Sequence, residues 1–246
     1  MESSLFIVAQ VGFMLVAVVY LSLLIVAFRH ALGATDWSAR RRKRFLTITV
    51  STLIVWALFV SIWSLSGIMA DFTIFPLNIA PVIAIPLIGA FFFLRTDALG
   101  QVLMHIPPER ILWLQSFRFF VEFLLWALYL AALLPVQMTF EGLNFDILVG
   151  LTGPIVALLV ARGRWSPGGI VAWNIVGLLL LANIVTIAIL SAPSPIRVFM
   201  NEPANVAVTW FPISWLPGLL VPLAYYLHFM SIRQILALQR SHAKTA

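Results

Sequence analysis

Apolar residues fall into seven long runs separated by short polar breaks, near residues 4–28, 45–68, 75–94, 111–134, 146–162, 169–190 and 211–236. A helix needs about 20 residues to cross a hydrocarbon core, with a tolerance of several either way. Each run therefore predicts a transmembrane helix, the one at 146–162 being the shortest. The expected fold is all-α, a single polytopic domain over residues 1–246 with seven spans.

Composition supports this reading. Of 246 residues, 62% are hydrophobic and 10% charged, against roughly 25% charged in an average soluble domain. The absence of cysteine excludes disulfides, thiolate metal sites and cysteine nucleophiles. The opening MESSLF carries an acid and no Lys or Arg ahead of its apolar run. It lacks the basic leader of a cleaved signal peptide, so the first run is expected to be a retained helix.

Lys and Arg mark cytoplasmic loops. All but two of the 15 lie in RHALGATDWSARRRKR, in 95–110, in 162–168 and in the C-terminal tail. Arg118 falls inside a span and Arg197 stands alone in the opposite loops. The expected topology has the N-terminus outside and the C-terminus in the cytoplasm. The net charge of +6 has the same source. The stretch ARRRKR reads as a topology signal that also attracts anionic lipid, and is too short for a nucleic-acid surface.

Two apolar stretches share the frame FP-x4-P-x4-PL: FPLNIAPVIAIPL from Phe75 and FPISWLPGLLVPL from Phe211. Under the expected topology both run from outside to inside. This raises a 3+1+3 parallel repeat, spans one to three and five to seven around an inverting fourth. Pro76 and Pro212 suit a first helical position. Pro81, Pro86, Pro217 and Pro222 each remove a hydrogen bond to the carbonyl four residues earlier, freeing Leu77, Val82, Ile213 and Gly218. Such carbonyls need other partners in lipid. Spans three and seven are therefore expected to be bent and buried, and the carbonyls of Leu77 and Ile213 are candidates to line a cavity. Two prolines that merely shape a bundle are the plainer alternative.

The fourth run carries Gln115, Arg118, Glu122, Trp126 and Tyr129 at spacings of three and four, one helical face. Charges at that depth cost several kcal/mol, of the order of about 3, so they are expected to face inward and to pair. Their i, i+4 spacing allows Arg118 and Glu122 to pair with each other. His228 lies at a similar depth on the seventh run and shares a face with Tyr225 and Ser231. Of two asparagines in the sixth run, Asn183 is expected to face an outer cavity and Asn174 to make a helix–helix hydrogen bond.

The loops on the opposite side hold Asp71, Glu141, Asp146 and Glu202 with Met69, Met138 and Met200. Carboxylates suit hard cations and thioethers suit Cu(I). Glu141, Asp146, Glu202, Met138 and Met200 are thus weak metal candidates, without an established ligand spacing; loop ordering and helix capping is the leading reading.

Lysine occurs only at Lys43 and Lys244, which argues against a retinal pigment. His228 is the only histidine within a span, which argues against a bis-histidine haem. The 3+1+3 layout is similar to that of SWEET-type sugar transporters, but their Pro-Gln signature is missing. LLPVQMTFEGLNFDILVGLTGP, WNIVGLLLLANIVTIAILSAPSP and FPISWLPGLLVPL resemble a group of bacterial seven-helix membrane proteins with no assigned activity. That resemblance covers most of the chain from Arg118 onward, is weaker before it, and implies a multi-pass protein of the bacterial inner membrane.

The leading functional expectation is a protein that binds or transports a small molecule or ion through a cavity between the third and seventh spans. Arg118, Glu122 and His228 would floor it, with Gln115, Tyr129, Tyr225 and Asn183 around it. Arg118 would bind an anionic group or hold Glu122 ionised, and Glu122 with His228 could exchange protons. The alternative is a sensor or assembly subunit in which that cluster is a structural lock. A membrane enzyme ranks third, because Glu122 and His228 are a thin acid/base set. The oligomeric state stays open.

Overall fold

A computed structural model describes residues 2–245 and, among them, is 74% helical with no strand. Nine α-helices follow in order: α1 (Glu2–Gly33), α2 (Ala39–Leu65), α3 (Ala80–Phe93), α4 (Asp97–Leu103), α5 (Pro108–Leu114), α6 (Phe117–Leu130), α7 (Ile147–Ala161), α8 (Pro167–Leu190) and α9 (Val221–Thr245). Among the described residues, five helical segments are long and apolar enough to cross a membrane. Counting the pair α3 and α4, bent by 79°, makes six. The run at 146–162 becomes α7, whose 15 residues rise about 22 Å, short of the ~30 Å hydrocarbon core.

Local signals explain most boundaries. Ser38 caps α2 through the Arg41 N–H, Thr96 caps α4 through Leu99, and Ser166 caps α8 through Gly169 with Pro167 just inside. The fourth run breaks at Gln115 and Ser116, separating α5 from α6. The Ser116 hydroxyl there meets the Tyr20 hydroxyl of α1 at 2.9 Å.

The proline frames depart from expectation. Pro81, not Pro76, occupies the permissive first turn of α3, and Pro217, not Pro212, opens a π-helical segment at Leu216–Leu220 that leads into α9. Among the expected interior prolines of the first frame, only Pro86 lies inside a regular helix. Span three is also not buried: Ile85, Ile88, Phe91 and Phe92 of α3 are exposed. Burial instead concentrates on α5, α6 and α9. Of the most apolar windows, 67% of the one in Pro108–Leu130 is buried, against 6% of the one in α2. The most extensive pairings are α1 with α6, α5 with α7, and α8 with α9.

Peripheral α2 is tied on through tryptophan and serine. Trp63 Nε1 donates to the Asn78 carbonyl at 2.8 Å and Trp56 Nε1 to the Gly218 carbonyl at 2.7 Å. Ser64 donates to the Thr209 carbonyl at 2.6 Å, and Trp215 Nε1 to the Ser61 hydroxyl at 2.9 Å. The carbonyl freed by Pro222 is thereby satisfied by an indole, not by a cavity. Ile213, completely buried, accepts from the Leu216 N–H at 2.8 Å.

Candidate functional site

Small residues let α7 lie close against α5 and α6. A Cβ on Gly150 would stand 2.8 Å from the Phe119 Cα, and one on Gly153 would stand 3.1 Å from the Leu112 carbonyl. Because α7 is short, this packing brings Asp146 at its N-terminus beside Arg118 of α6. Asp146 is 5% exposed and Arg118 1%. Arg118 Nε donates to Asp146 Oδ2 at 2.6 Å, and Nη2 pairs with Oδ1. That is the two-pronged geometry in which guanidinium and carboxylate bind best.

The expected Arg118–Glu122 pair therefore does not form; the i+4 carboxylate yields to one from another helix that meets the fork in plane. Arg118 Nη1 reaches His228 Nε2 at 2.7 Å. An arginine only donates, so Nε2 accepts and the imidazole proton sits on Nδ1. Nδ1 then donates to Asn174 Oδ1 at 2.8 Å, and Asn174 Nδ2 donates to the Ser231 hydroxyl at 3.0 Å and to the Ile170 carbonyl at 2.8 Å. Gly177 makes room for the imidazole: a Cβ there would stand 2.7 Å from Nε2. All three guanidinium nitrogens are engaged, so Arg118 has no free face for an anionic ligand.

Glu122 has a different environment. It is 1% exposed. Its Oε1 accepts from Asn144 Nδ2 at 2.7 Å, while Oε2 has no hydrogen-bond partner. Asn144 also accepts the Asp146 backbone N–H at 3.0 Å and so ties the Glu122 carboxyl group to the Asp146 backbone. Glu122 and Asp146 line a cavity of about 90 Å³. Its other walls are apolar side chains of α3, α6, α8 and the start of α9, together with Asn205, whose Oδ1 is likewise buried and unpartnered. The cavity occupies a wedge: α5 packs closely on α9, whereas α6 does not.

Neither Leu77 nor Ile213 lines this cavity; Leu77 is 66% exposed, so the backbone-carbonyl lining is corrected to a side-chain one. Asn183 donates to the Leu143 carbonyl at 2.9 Å, away from the cavity, while buried Asn174 is the asparagine that joins the cluster. Gln115 is buried and donates to the Ala224 carbonyl at 3.3 Å. Tyr129 and Tyr225 are half-buried and stand outside the hydrogen-bonded chain.

The five weak metal candidates do not converge. Glu141 accepts from Trp126 Nε1 at 2.8 Å, Glu202 pairs with Arg197 at 3.0 Å, Met138 is buried, and Met200 is exposed. No group of three or more His, Asp or Glu arranged to hold a metal occurs among the described residues.

Sequence reasoning missed the joint role of Asp146, Asn144, Asn174 and Gly177. The available signal was the shortness of the 146–162 run, since a helix too short to span draws its terminal carboxylate below the interface, where it needs a cation.

No curated protein and no solved structure matches the chain significantly. The family described as Domain of unknown function (DUF8737) matches residues 74–236, more than half of the chain, and takes in the whole Arg118–Asp146–His228 cluster together with Glu122. The chain belongs to that family.

Proposed function

We propose that the chain is a seven-span protein of the bacterial inner membrane, one domain with its N-terminus outside, that binds a small hydrogen-bond donor or monovalent cation at Glu122 within the bundle. The observation that carries this reading is Glu122 Oε2, a buried acceptor without a partner at the edge of a cavity. An unpaired carboxyl group in such surroundings costs several kcal/mol, of the order of about 3, and a ligand that donates to it offsets the cost. Buried Asn205 Oδ1 on the same cavity is again an acceptor, so the ligand class is a donor and not an anion. Passage across the membrane is the finer form of this proposal. The expected seven spans, in a 3+1+3 arrangement, retain α7 as a short fifth span, and Arg40–Arg44 would meet anionic lipid.

The closed chain Arg118–His228–Asn174–Ser231 favours a second reading for that part of the cluster, a lock that fixes α6, α7, α8 and α9 in register. The two readings assign different residues and need not compete.

The test uses the purified chain in lipid nanodiscs, melted with increasing methylammonium chloride at constant ionic strength held with tetramethylammonium chloride. A ligand that binds only the folded state raises the midpoint progressively. Methylammonium should raise the midpoint for the native chain and not for Glu122→Gln. Equal responses in both, or none, would remove the site. For topology, single cysteines at Ser38, Met200 and Ser241 should react with an impermeant maleimide in intact cells only at position 200.

A further inference from the structure

The walls of the Glu122 cavity differ in exposure. Met69, Met138 and Asn205, from the segments between helices, are buried, as are Glu122 and Asp146. The partly exposed lining residues are Ile79 and Ile83 of the α3 region, Val185, Ala188 and Ile189 of α8, and Pro217 and Val221 at the start of α9. α3 and α8 each contact α9 but scarcely touch one another. They form two lips of an apolar groove with the π segment and α9 at its back. The less buried part of the cavity wall thus lies on α3, α8 and the start of α9.

Resting on the binding reading above, we infer that the ligand is a lipophilic amine: an ammonium group donating to Glu122 Oε2 and Asn205 Oδ1, with an alkyl chain leaving between α3 and α8 into the bilayer. The charge pattern favours this occupant. The buried cluster holds two carboxyl groups against one guanidinium, and Arg118 is already committed to Asp146. A cavity of about 90 Å³ holds the volume of roughly three waters at ~30 Å³ each, enough for an ammonium and its first methylenes. The apolar lips suit the remainder of a chain and offer nothing to a hydrated ion. A neutral lipid headgroup would leave the surplus carboxyl uncompensated.

The experiment extends the nanodisc melts to methyl-, butyl-, hexyl- and octylammonium, each below its micellar concentration, with octyltrimethylammonium as a cation lacking N–H donors. Glu122→Gln in the same lipid supplies the baseline for non-specific partition. The half-saturating concentration should fall with chain length, by up to about fourfold per buried methylene, until the chain leaves the groove. Octyltrimethylammonium should fall well behind octylammonium. Ile83→Trp and Val185→Trp, which narrow the lips, should weaken octylammonium at least tenfold and methylammonium much less; circular dichroism and a cooperative melt without ligand show that these variants fold. Binding that depends on Glu122 but not on chain length or on the lips would overturn lateral entry while sparing the site. Absence of any Glu122-dependent response to methylammonium would overturn both.

Discussion

Asp146 and Glu122 are both carboxylates buried within the same helical bundle, yet their surroundings differ in kind. Asp146 meets a guanidinium with both oxygens. Glu122 is held by Asn144 through one oxygen, and the other faces a cavity wall without a partner. Burial alone therefore does not identify a functional carboxylate. What separates the two is the supply of donors: complete satisfaction makes a rigid joint, and incomplete satisfaction leaves chemistry for a ligand.

The sharpest way to break this comparison is at Asp146. Asp146→Leu leaves Arg118 buried without its counter-ion and should cost about 3–5 kcal/mol, whereas Arg118→Met with Asp146→Leu should cost clearly less. Melting in detergent compares them; a double variant as unstable as the single would show that the pair is not the unit. Gly177→Ala comes next, because its Cβ would stand 2.7 Å from His228 Nε2. Displacing the imidazole should cost about 1–3 kcal/mol, and chemical denaturation of the purified chain measures it.

Ser231→Ala removes one of the two acceptors of Asn174 Nδ2. Intramembrane hydrogen bonds average about 0.6 kcal/mol, so the same assay should register a small loss. Glu122→Gln should change stability by no more than about 0.5 kcal/mol, since an amide oxygen can still accept from Asn144, while it abolishes the ammonium response. A loss above about 2 kcal/mol would instead assign Glu122 to the lock.

A third carboxylate calibrates both. Asp71, in the segment between α2 and α3, accepts from the Thr73 hydroxyl at 2.5 Å and from the Thr73 N–H at 3.0 Å, which hold its pKa below the ordinary carboxylate value. A depressed folded-state pKa gives stability that is present above the unfolded value and is lost as the pH falls through the folded one. Thr73→Ala should therefore lower neutral-pH stability slightly and diminish the loss of stability seen below about pH 4, the two chains converging in acid. The site is fully exposed, so the effect is the smallest of the set, readable as a difference in acid titration curves.

The two proline frames teach a related lesson. Their spacing is the same, yet one follows a 3₁₀ turn and leads into the 14-residue α3, which meets α4 at a 79° bend, and the other leads through a π segment into a long helix. The difference comes from neighbours. Trp56 and Trp63 of α2 take a carbonyl from each frame, Gly218 of the second and Asn78 of the first. Gly218 is pressed against Val60, whose Cγ1 would stand 2.7 Å from an added Cβ. Nothing within FP-x4-P-x4-PL specifies those contacts.

The helical class, the long apolar helices and the burial of Arg118, Glu122 and His228 were legible in the sequence. Each follows from a local cost: unsatisfied backbone in lipid forces helices, and a charge in mid-run demands a partner. The identity of that partner was not legible. Arg118 and Asp146 are 28 residues apart and His228 lies a further stretch away. They meet because Gly150 and Gly153 admit α7 closely, because α7 is short, and because Gly177 makes space for an imidazole. Sequence spacing ranks only the neighbours on one helix and so favoured Glu122. Tertiary packing chose the carboxylate with the better fork geometry, and in doing so left Glu122 facing the cavity.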